Sequence, residues 1–258
     1  MKKHDITILV LSCDKYSDLW KPFFTQFRKH WKNCPYPVVL GSNTLAYKSV
    51  NTILSGPDKD WSSSLIAILS KIETPYVFLW LEDIFPVSNV NIREFENALI
   101  FMLNNNAKHM HIYPVPKPDR ILEGFKYGEF DRGAPYRATG LGFWKVSYLS
   151  KLLIPGENPW NFEVMGSYRT SYSDGFYCLT QPLFNRIHVV EKGFIFPEAH
   201  AYCRAHNIPL DISRRSIVAG SYGLRSSFQS IYFNIIIRIP WKIRTSWMNI
   251  LRKLLISY

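Results

Sequence analysis

The first half of the chain alternates between short apolar runs and longer segments with one apolar face. Apolar runs at residues 6–11, 37–40, 76–81 and 110–113 predict buried strands. Apolar residues at helical spacing lie between these runs and predict three helices; they are Leu19, Trp20, Phe23, Phe24, Phe27, Trp31, Leu65, Ile68, Leu69, Ile72, Ile92, Phe95, Leu99 and Met102. Because strands and helices alternate, we predict an α/β fold with a mostly parallel sheet flanked by helices.

The second half is less periodic and opens with a long polar stretch. Residues 114–139 carry charges of both signs and no regular apolar pattern. Loops of this length are uncommon in compact domains and usually have a function, so we predict a lid or a binding loop. The sequence has no internal repeat, and we expect one domain over residues 1–220, followed by a tail over residues 221–258.

The tail is strongly basic. Residues 212–258 contain no Asp or Glu and eight Lys or Arg, which leaves only +3 of the formal charge of +11 for residues 1–211. Beyond residue 240 one helical face is apolar, formed by Ile243, Trp247, Ile250, Leu251 and Leu254. Opposed basic and apolar faces favour a helix lying in a membrane surface. The alternative is a closing helix packed on the core, with a solvated basic side.

Other features exclude several classes of protein. The 4 cysteines form no CxxC pair, which favours free thiols in a reducing compartment. The apolar run at residues 6–11 is short for a signal peptide, and no apolar stretch approaches the length of a membrane-spanning helix. We therefore expect a cytoplasmic protein. The sequence lacks a Walker-type phosphate loop, GxGxxG, GxSxG and any recognised nucleic-acid-binding module, so we expect no nucleic acid partner.

Polar side chains follow three of the predicted strands. Ser12 and Asp14 come after the first, Asn43 after the second, and Glu82 and Asp83 after the run at residues 76–81. Ligands of open α/β sheets bind outside the carboxyl ends of the strands, so we expect these groups to converge on one ligand site. For Asp14, capping of the following helix is an equally open alternative.

The adjacent carboxylates Glu82 and Asp83 form the sharpest of these groups. Two charges directly after an apolar strand cannot both be buried without partners. Hard oxygen ligands at a strand end suit Mg²⁺ or Mn²⁺ bridging a diphosphate. The alternative is a solvated turn, since Pro86 follows shortly.

Glu163 is a lone carboxylate among aromatic residues, close to Trp160 and Phe162. Such surroundings raise the pKa of a carboxyl group, which can then act as a general base towards a hydroxyl. From the residues alone, the favoured alternative is a surface glutamate beside a buried tryptophan.

The histidines give weaker signals. His200, Cys203 and His206 stand at helical spacing, but a fourth ligand for zinc is not evident, so we expect structural roles. His109 and His111 share one face of a predicted strand, and we expect ordinary packing or surface residues.

Several stretches together resemble bacterial GT-A type glycosyltransferases of capsule and lipopolysaccharide synthesis. The similar segments are residues 8–16, 74–83, 142–144, 152–163 and 190–194. The resemblance implies that six residues bind a nucleotide sugar: Ser12, Asp14, Asn43, Trp61, Glu82 and Asp83. It places Phe143, Trp160 and Arg169 at the acceptor side, and it implies Glu163 as the general base.

The resemblance also implies a reaction. A sugar would pass from a UDP-, GDP-, CMP- or dTDP-linked donor to a lipid-linked or cell-surface glycan at the inner face of the membrane, with inversion. The family's Asp-x-Asp motif is here Glu82-Asp83 followed by Ile84. This departure leaves two options, Mg²⁺ or Mn²⁺ held by Asp83, or no metal. The alternative function is a non-catalytic, membrane-associated carbohydrate-binding or assembly protein.

Overall fold

The computed structural model describes residues 5–217 and, beyond them, the single positions 231, 235, 239, 243, 246, 247 and 250. Most of the predicted tail, residues 221–258, and its boundary at residue 220 therefore lie outside the described residues. Within the described residues, no helix has both the length and the apolar character needed to cross a bilayer.

The first half contains every strand and helix that the hydrophobic pattern predicts, with ends shifted by about one to three residues. Its strands are β1 (Ile6–Leu11), β2 (Val38–Ser42), β3 (Asn51–Leu54), β4 (Tyr76–Leu81), β5 (Ile84–Pro86) and β6 (His109–His111). Its helices are α1 (Ser17–His30), α2 (Trp61–Leu69) and α3 (Ile92–Asn104). The pattern did not predict β3 and β5, because β3 is a half-exposed edge strand and β5 has only three residues.

The second half has shorter elements. Its strands are β7 (Arg120–Ile121), β8 (Tyr127–Glu129), β9 (Gly142–Lys145), β10 (Phe176–Leu179), β11 (Arg186–His188), β12 (Val190–Glu191) and β13 (Phe194–Ile195). Its helices are α4 (Val146–Leu152), α5 (Pro159–Asn161), α6 (Ser167–Arg169) and α7 (Pro197–Ala205), and a π-helical turn, Phe162–Gly166, joins α5 to α6. The stretch at residues 114–139 contains β7 and β8, which pair at one edge of the sheet, so it is not a continuous loop.

The central sheet, within residues 5–217, has the strand order β3-β2-β1-β4-β9-β6-β10-β8-β7. Strands β1 to β4 run parallel, and β9 lies antiparallel between β4 and β6. Gly142 opens β9 with φ +138°, and a Cβ at this position would lie 2.4 Å from the Met110 carbonyl oxygen. The predicted α/β fold with a mostly parallel sheet is confirmed, and β9 and β8 are the strands that run antiparallel to their neighbours.

Two apolar layers cover the sheet. On one face, α1 contributes Phe23 and Phe27, whose rings pack edge-on against Trp80 of β4 at 5.7 Å. Such aromatic pairs contribute about 1 kcal/mol each beyond the area that they bury. On the other face, Leu65 of α2 and Leu149 of α4 are fully buried. Strands β1 and β4 are therefore covered on both sides, which explains their nearly continuous apolar sequence.

Phe143 requires a correction, because it lies in this core and not at the acceptor side. It stands in the middle of β9, is 0% exposed, and its ring centroid is 4.9 Å from that of Phe78 and 4.8 Å from that of Phe95. Strands β4 and β6 flank β9, and the rings of Phe78 and Phe95 cover the Phe143 side chain. A side chain in this position cannot touch a ligand.

Candidate active site

A cavity of about 640 Å³ opens at the carboxyl ends of β1, β4 and β6. Its position follows the rule for open α/β sheets, and its size suits a small-molecule ligand. Of the predicted site residues, those that line it are Ser12, Trp61, Glu82, Asp83, Trp160 and Glu163. The predicted convergence of strand-end groups on one cavity is thus confirmed for β1 and β4. Asp14, Asn43, Phe143 and Arg169 do not line the cavity.

Glu82 is buried where β4 ends, with 7% of its surface exposed. Burial, and after it the charge of Asp83, raise the pKa of Glu82 well above its ordinary value. The Ser12 hydroxyl hydrogen-bonds the Glu82 carboxyl group and in turn accepts a hydrogen bond from Trp20 Nε1 at 2.7 Å. The alternative of a solvated turn is therefore wrong for Glu82.

Asp83 presents one bonded and one free carboxylate oxygen. Its Oδ2 accepts a hydrogen bond from His188 Nε2 at 3.1 Å. Its Oδ1 is buried and has no hydrogen-bond partner in the structure. A buried carboxylate oxygen without a partner is costly, so this atom is ready to receive a cation or a donor from a ligand.

The sequence analysis missed a cationic wall of the cavity, formed by Arg186, His188 and Lys192. Strand β11 pairs antiparallel with β5, which places His188 opposite Ile84 and so beside Asp83. Burial opposes the charged form of His188, but the hydrogen bond and charge of Asp83 outweigh it and raise its pKa. The available signal was the spacing of Arg186 and His188, because alternate residues of a strand share a face.

Arg186 lies flat against the aromatic part of this wall. Its guanidinium carbon is 3.9 Å from the ring centroid of Tyr113, which also lines the cavity. Burial, opposed by Tyr113 and Asp83, lowers the pKa of Arg186 from its ordinary value, but an arginine remains charged in proteins. The cavity therefore contains fixed positive charge close to the Asp83 carboxylate, an arrangement suited to a phosphorylated ligand.

Glu163 reaches the cavity from the π-helical turn between α5 and α6. Burial raises the pKa of its carboxyl group to about 7, although a hydrogen bond from the Gly140 backbone opposes the shift. The Ser167 hydroxyl donates to the Glu163 carbonyl oxygen at 2.6 Å and accepts from Ala138 N at 3.1 Å. Glu163 is thus held between two segments, as in the π-turns that often occur at functional sites.

The predicted raised pKa of Glu163 is confirmed, and the alternative of a surface glutamate beside a buried tryptophan is wrong. Trp160 is the exposed residue of the pair, at 51%, while Glu163 is largely buried. Phe162, between them in sequence, is 0% exposed and packs against Trp61 at 5.3 Å between ring centroids. The turn therefore directs Phe162 into the core and Glu163 into the cavity.

Trp61 owes its position to the start of α2. Asp60 caps this helix by accepting a hydrogen bond from Ser63 N at 2.7 Å, so Trp61 is the first helical residue. Hydrogen bonds from Ser63, Gly156 and Ser62 outweigh burial and lower the pKa of Asp60 below its ordinary value. Trp61 and Trp160 give the cavity flat apolar walls, and Lys192 Nζ is 5.8 Å from the Trp160 ring centroid.

Asp14 neither lines the cavity nor caps the helix that follows it. Its carboxylate accepts hydrogen bonds from the backbone nitrogens of Asn43, Thr44 and Leu45 at 3.0–3.2 Å. The Asn43 side chain accepts from Asp14 N at 3.1 Å. Burial would raise the pKa of Asp14, but these hydrogen bonds outweigh it and lower the pKa. Asp14 and Asn43 therefore join the ends of β1 and β2.

Arg169 is engaged in an ion pair away from the cavity. Its two terminal nitrogens donate to the two carboxylate oxygens of Glu157, each at 2.7 Å. Glu157 N in turn donates to Ser62 Oγ at 3.1 Å. Arg169 thus fixes the loop between α4 and α5 against the start of α2, and its place at the acceptor side stays a prediction.

The histidines mostly behave as expected. His109 is fully buried and stacks on Trp144 with ring centroids 3.8 Å apart, which confirms packing, although His111 also borders the cavity. Burial lowers the pKa of His111 to about 4. Over the described residues, no three His, Cys, Asp or Glu side chains could hold a metal together. The structural roles of His200, Cys203 and His206 stay a prediction.

A divalent cation fits the cavity only with help from a ligand. Asp83 Oδ1 supplies one hard oxygen, and the described residues offer no set of three metal-ligating side chains. Mg²⁺ typically binds one or two carboxylates and takes its remaining ligands from substrate phosphates and water. The residues present therefore fit a cation that arrives with a phosphorylated ligand, and they do not form an independent metal site.

No protein-family model matches the sequence, and no curated protein matches it. The chain is similar in structure to S. aureus TarS, with 9% identity and a TM-score of 0.44, over 68% of this chain and 36% of that chain. It is also similar to S. aureus TarS 1-349 in complex with UDP (10% identity, TM-score 0.48, 70% of this chain and 59% of that chain). A third similar structure is an active-site mutant of LgtC (10% identity, TM-score 0.39, 83% of this chain and 84% of that chain). The chain spans less than two thirds of either TarS structure, and similarities of this degree assign neither a ligand nor an activity.

Proposed function

We propose that the protein is a nucleotide-sugar-dependent glycosyltransferase of the GT-A type. One observation carries the proposal. A single cavity at the carboxyl ends of the strands is lined by Asp83 beside the cations Arg186 and His188, and also by Glu163, whose pKa is raised to about 7. The first group suits a diphosphate, and the second suits proton removal from a hydroxyl at neutral pH.

In the proposed reaction, the Glu163 carboxylate takes the proton of the acceptor hydroxyl. The hydroxyl oxygen forms a bond to the anomeric carbon of the donor sugar. The bond between that carbon and the diphosphate oxygen breaks, and its electron pair leaves with the nucleoside diphosphate. Arg186, His188 and Lys192 stabilise the negative charge that develops on the leaving group. A single displacement of this kind inverts the configuration at the anomeric carbon.

A Mg²⁺ or Mn²⁺ ion held by Asp83 would supply further positive charge to the diphosphate. The buried, unpartnered Oδ1 of Asp83 supports this part of the proposal. The chain also provides its own cations on the same wall, so partial transfer without metal is expected.

We further propose that the acceptor is linked to lipid and that the tail holds the enzyme on the cytoplasmic face of the membrane. Arg215 lies just before the tail, and its side chain pairs with Asp18 at 2.6 Å and stacks over Tyr16 at 4.2 Å. Tyr16 lines the cavity, so the chain enters the tail close to the site. Five of the six described apolar tail positions are exposed by about half or more, and Ile239 is partly buried; the five are Ile231, Ile235, Ile243, Trp247 and Ile250.

The nucleotide proposal is tested by thermal stabilisation with UDP, GDP, CMP and dTDP, each with and without Mn²⁺, followed by transfer assays with the matching sugar donor. Glu163→Gln is expected to abolish transfer and to keep nucleotide binding. Asp83→Asn is expected to lose the response to Mn²⁺. Stabilisation by none of the nucleotides would contradict the proposal and favour the non-catalytic carbohydrate-binding alternative. Near-normal transfer by Glu163→Gln would reject the role of that residue.

The membrane proposal has a separate test. Wild-type protein is expected to pellet with vesicles that contain anionic lipid, and a variant that ends at residue 227 is expected to stay in the supernatant. Vesicles of neutral lipid are the control, because the attraction of a basic tail requires anionic headgroups. Equal pelleting of the truncated and full-length proteins would contradict the proposal.

A further inference from the structure

A row of exposed apolar side chains leads away from the cavity along the segment that carries Glu163. We call Trp160, Met165, Tyr168 and Tyr172 the aromatic row; they are 51%, 50%, 43% and 75% exposed. In the part of the chain that the structure describes, six Phe, Tyr or Trp side chains are exposed, and three of them belong to this row. Single exposed apolar residues are ordinary, but a cluster indicates an interaction surface.

The row starts at the cavity, because Trp160 forms part of the cavity wall. Helix α5, the π-helical turn and α6 follow one another without a break from Pro159 to Arg169. The five-residue spacing of the π-turn brings Met165 to the face of Trp160, and Tyr168 follows Met165 at helical spacing. Tyr172 lies in the turn that follows the end of α6 at Arg169. At about 1.5 Å per residue, Tyr168 lies about 12 Å along the axis from Trp160, beyond the reach of a ligand confined to the cavity.

The fully buried Arg137 holds the chain that follows α6 in place from the core side. Its guanidinium group donates to Thr170 Oγ1 at 2.9 Å, to the Thr170 carbonyl at 2.8 Å, and to the carbonyl oxygens of Ser173 and Asp131. Its other side stacks on Phe176 at 4.1 Å. A surface fixed in this way loses little conformational entropy when a partner binds, which favours binding.

The charge of the segment argues against a lipid surface as its partner. Residues 155–174 contain three acidic side chains and one basic side chain, and the basic one, Arg169, is paired with Glu157. Anionic leaflets attract clusters of Lys and Arg, which this segment lacks. Exposed Trp and Tyr rings combine a flat apolar face with a polar edge. This combination matches sugar rings, which have apolar C–H faces and hydroxyl groups at their edges.

We propose that the aromatic row binds the sugar residues of the acceptor that lie beyond the reacting hydroxyl. The acceptor is therefore an oligosaccharide or polysaccharide chain of several units, and its growing end enters the cavity beside Glu163. This inference rests on the proposed function for the identity of the cavity. The binding of a glycan chain by the row can nevertheless be measured without any transfer.

The test is binding to an immobilised panel of bacterial-type glycans graded from monosaccharides to hexasaccharides. The variants are Tyr168→Ala, Tyr172→Ala and the double variant, with Ile121→Ala as the matched control. Ile121 is 61% exposed in the edge strand β7 and lies outside the row. We expect wild-type protein and the control to retain glycans of three or more sugars preferentially. The double variant is expected to bind these glycans about tenfold more weakly.

Stabilisation by nucleotides should be the same in all five proteins, because Tyr168 and Tyr172 do not line the cavity. Failure of every nucleotide to bind would contradict the proposed function, while length-dependent glycan binding would still support the row. Equal retention of mono- and hexasaccharides, or unchanged glycan binding by the double variant, would overturn the inference. Loss of pelleting with anionic vesicles in the double variant would also overturn it and assign the row to the membrane.

Discussion

Asp83 and His188 are 105 residues apart in sequence, yet the Asp83 Oδ2 atom accepts a hydrogen bond from His188 Nε2 at 3.1 Å. The antiparallel pairing of β5 with β11 produces this contact, because β5 begins directly after Asp83. The pair joins an acidic and a cationic group in one wall of the cavity. The two side chains are thereby fixed in place before a ligand arrives, which reduces the reorganisation that binding requires.

This pair leads to a prediction about pH. Because the pKa of His188 is raised above its ordinary value, the imidazolium persists to higher pH and loses its charge as pH rises through that pKa. We expect binding of the donor nucleotide to weaken over the same range. His188→Gln should bind more weakly at low pH and lose this pH dependence. Calorimetric titration of both proteins across pH 5.5–8.5 measures the effect, and parallel profiles would contradict it.

The raised pKa of Glu163 predicts that its charged carboxylate destabilises the folded protein at high pH. The folded protein holds its carboxyl group with a pKa of about 7, above the ordinary value of 4.5, so the folded state binds more protons than the unfolded state between these values. The protonated carboxyl group therefore stabilises the folded protein fully below pH 4.5. This stabilisation is lost as the pH rises through about 7, and it amounts to on the order of 3 kcal/mol. We expect Glu163→Gln to unfold at higher denaturant concentration than wild type at pH 8.

The control for this prediction is the same measurement at pH 4.5. Glu163 is largely protonated in the folded state there, and the two proteins should then differ little in free energy of unfolding. A variant that is less stable than wild type at pH 8 would show that Glu163 stabilises the fold and is not held there at a cost.

Arg215 and Asp18 form a buried ion pair in which each side chain is 6% exposed. Two hydrogen bonds join them, at 2.6 and 2.7 Å. Without Arg215, the buried Asp18 keeps only a longer ion pair with Arg214, at 3.8 Å, so we expect Arg215→Ala to lower the free energy of unfolding by about 3 kcal/mol. Chemical denaturation measures the loss of unfolding free energy. The same measurement on Asp18→Ala and on the double variant completes a double-mutant cycle. Additive losses would show that the two side chains are not coupled.

Asp14 is predicted to matter for stability more than for ligand binding. Its carboxylate holds three backbone nitrogens of the loop after β2. Hydrogen bonds to a charged group make substantial contributions, and we expect Asp14→Ala to cost about 2 kcal/mol of unfolding free energy. Nucleotide affinity, measured well below the unfolding temperature, should change less than threefold. A large loss of affinity in a folded Asp14→Ala protein would restore its predicted contact with the nucleotide.

The hydrophobic pattern predicted the first half of the fold because the relevant signal is local. Strands β1 and β4 are covered on both faces, so burial requires an apolar residue at nearly every position. The same signal located Glu82 and Asp83, since a carboxylate marks the point at which such a strand leaves the core. It failed for β3, which lies at the edge of the sheet and has little to bury.

The second half was harder to predict because its elements are short and gain their stability from distant partners. Strand β9 has four residues, and nothing in them shows that it enters the sheet between β4 and β6. The family resemblance places Phe143 at the acceptor side, and no local signal contradicts it although the residue is fully buried. Arg186 and His188 were overlooked for the same reason, since their importance depends on the pairing of β11 with β5.

The sequence by itself determined the alternation of strands and helices, the acidic ends of the strands, the aromatic surroundings of Glu163 and the basic tail. These properties depend on neighbouring residues and on the period of the backbone. Only the tertiary structure decided which charges meet. Whether a carboxylate is suited to act as a base or to stabilise a loop depends on its burial and on its hydrogen-bond donors. Chain segments far away in sequence set the burial and supply the donors. Glu163 and Asp14 are alike as residue types, and their surroundings alone separate a raised pKa from a lowered one.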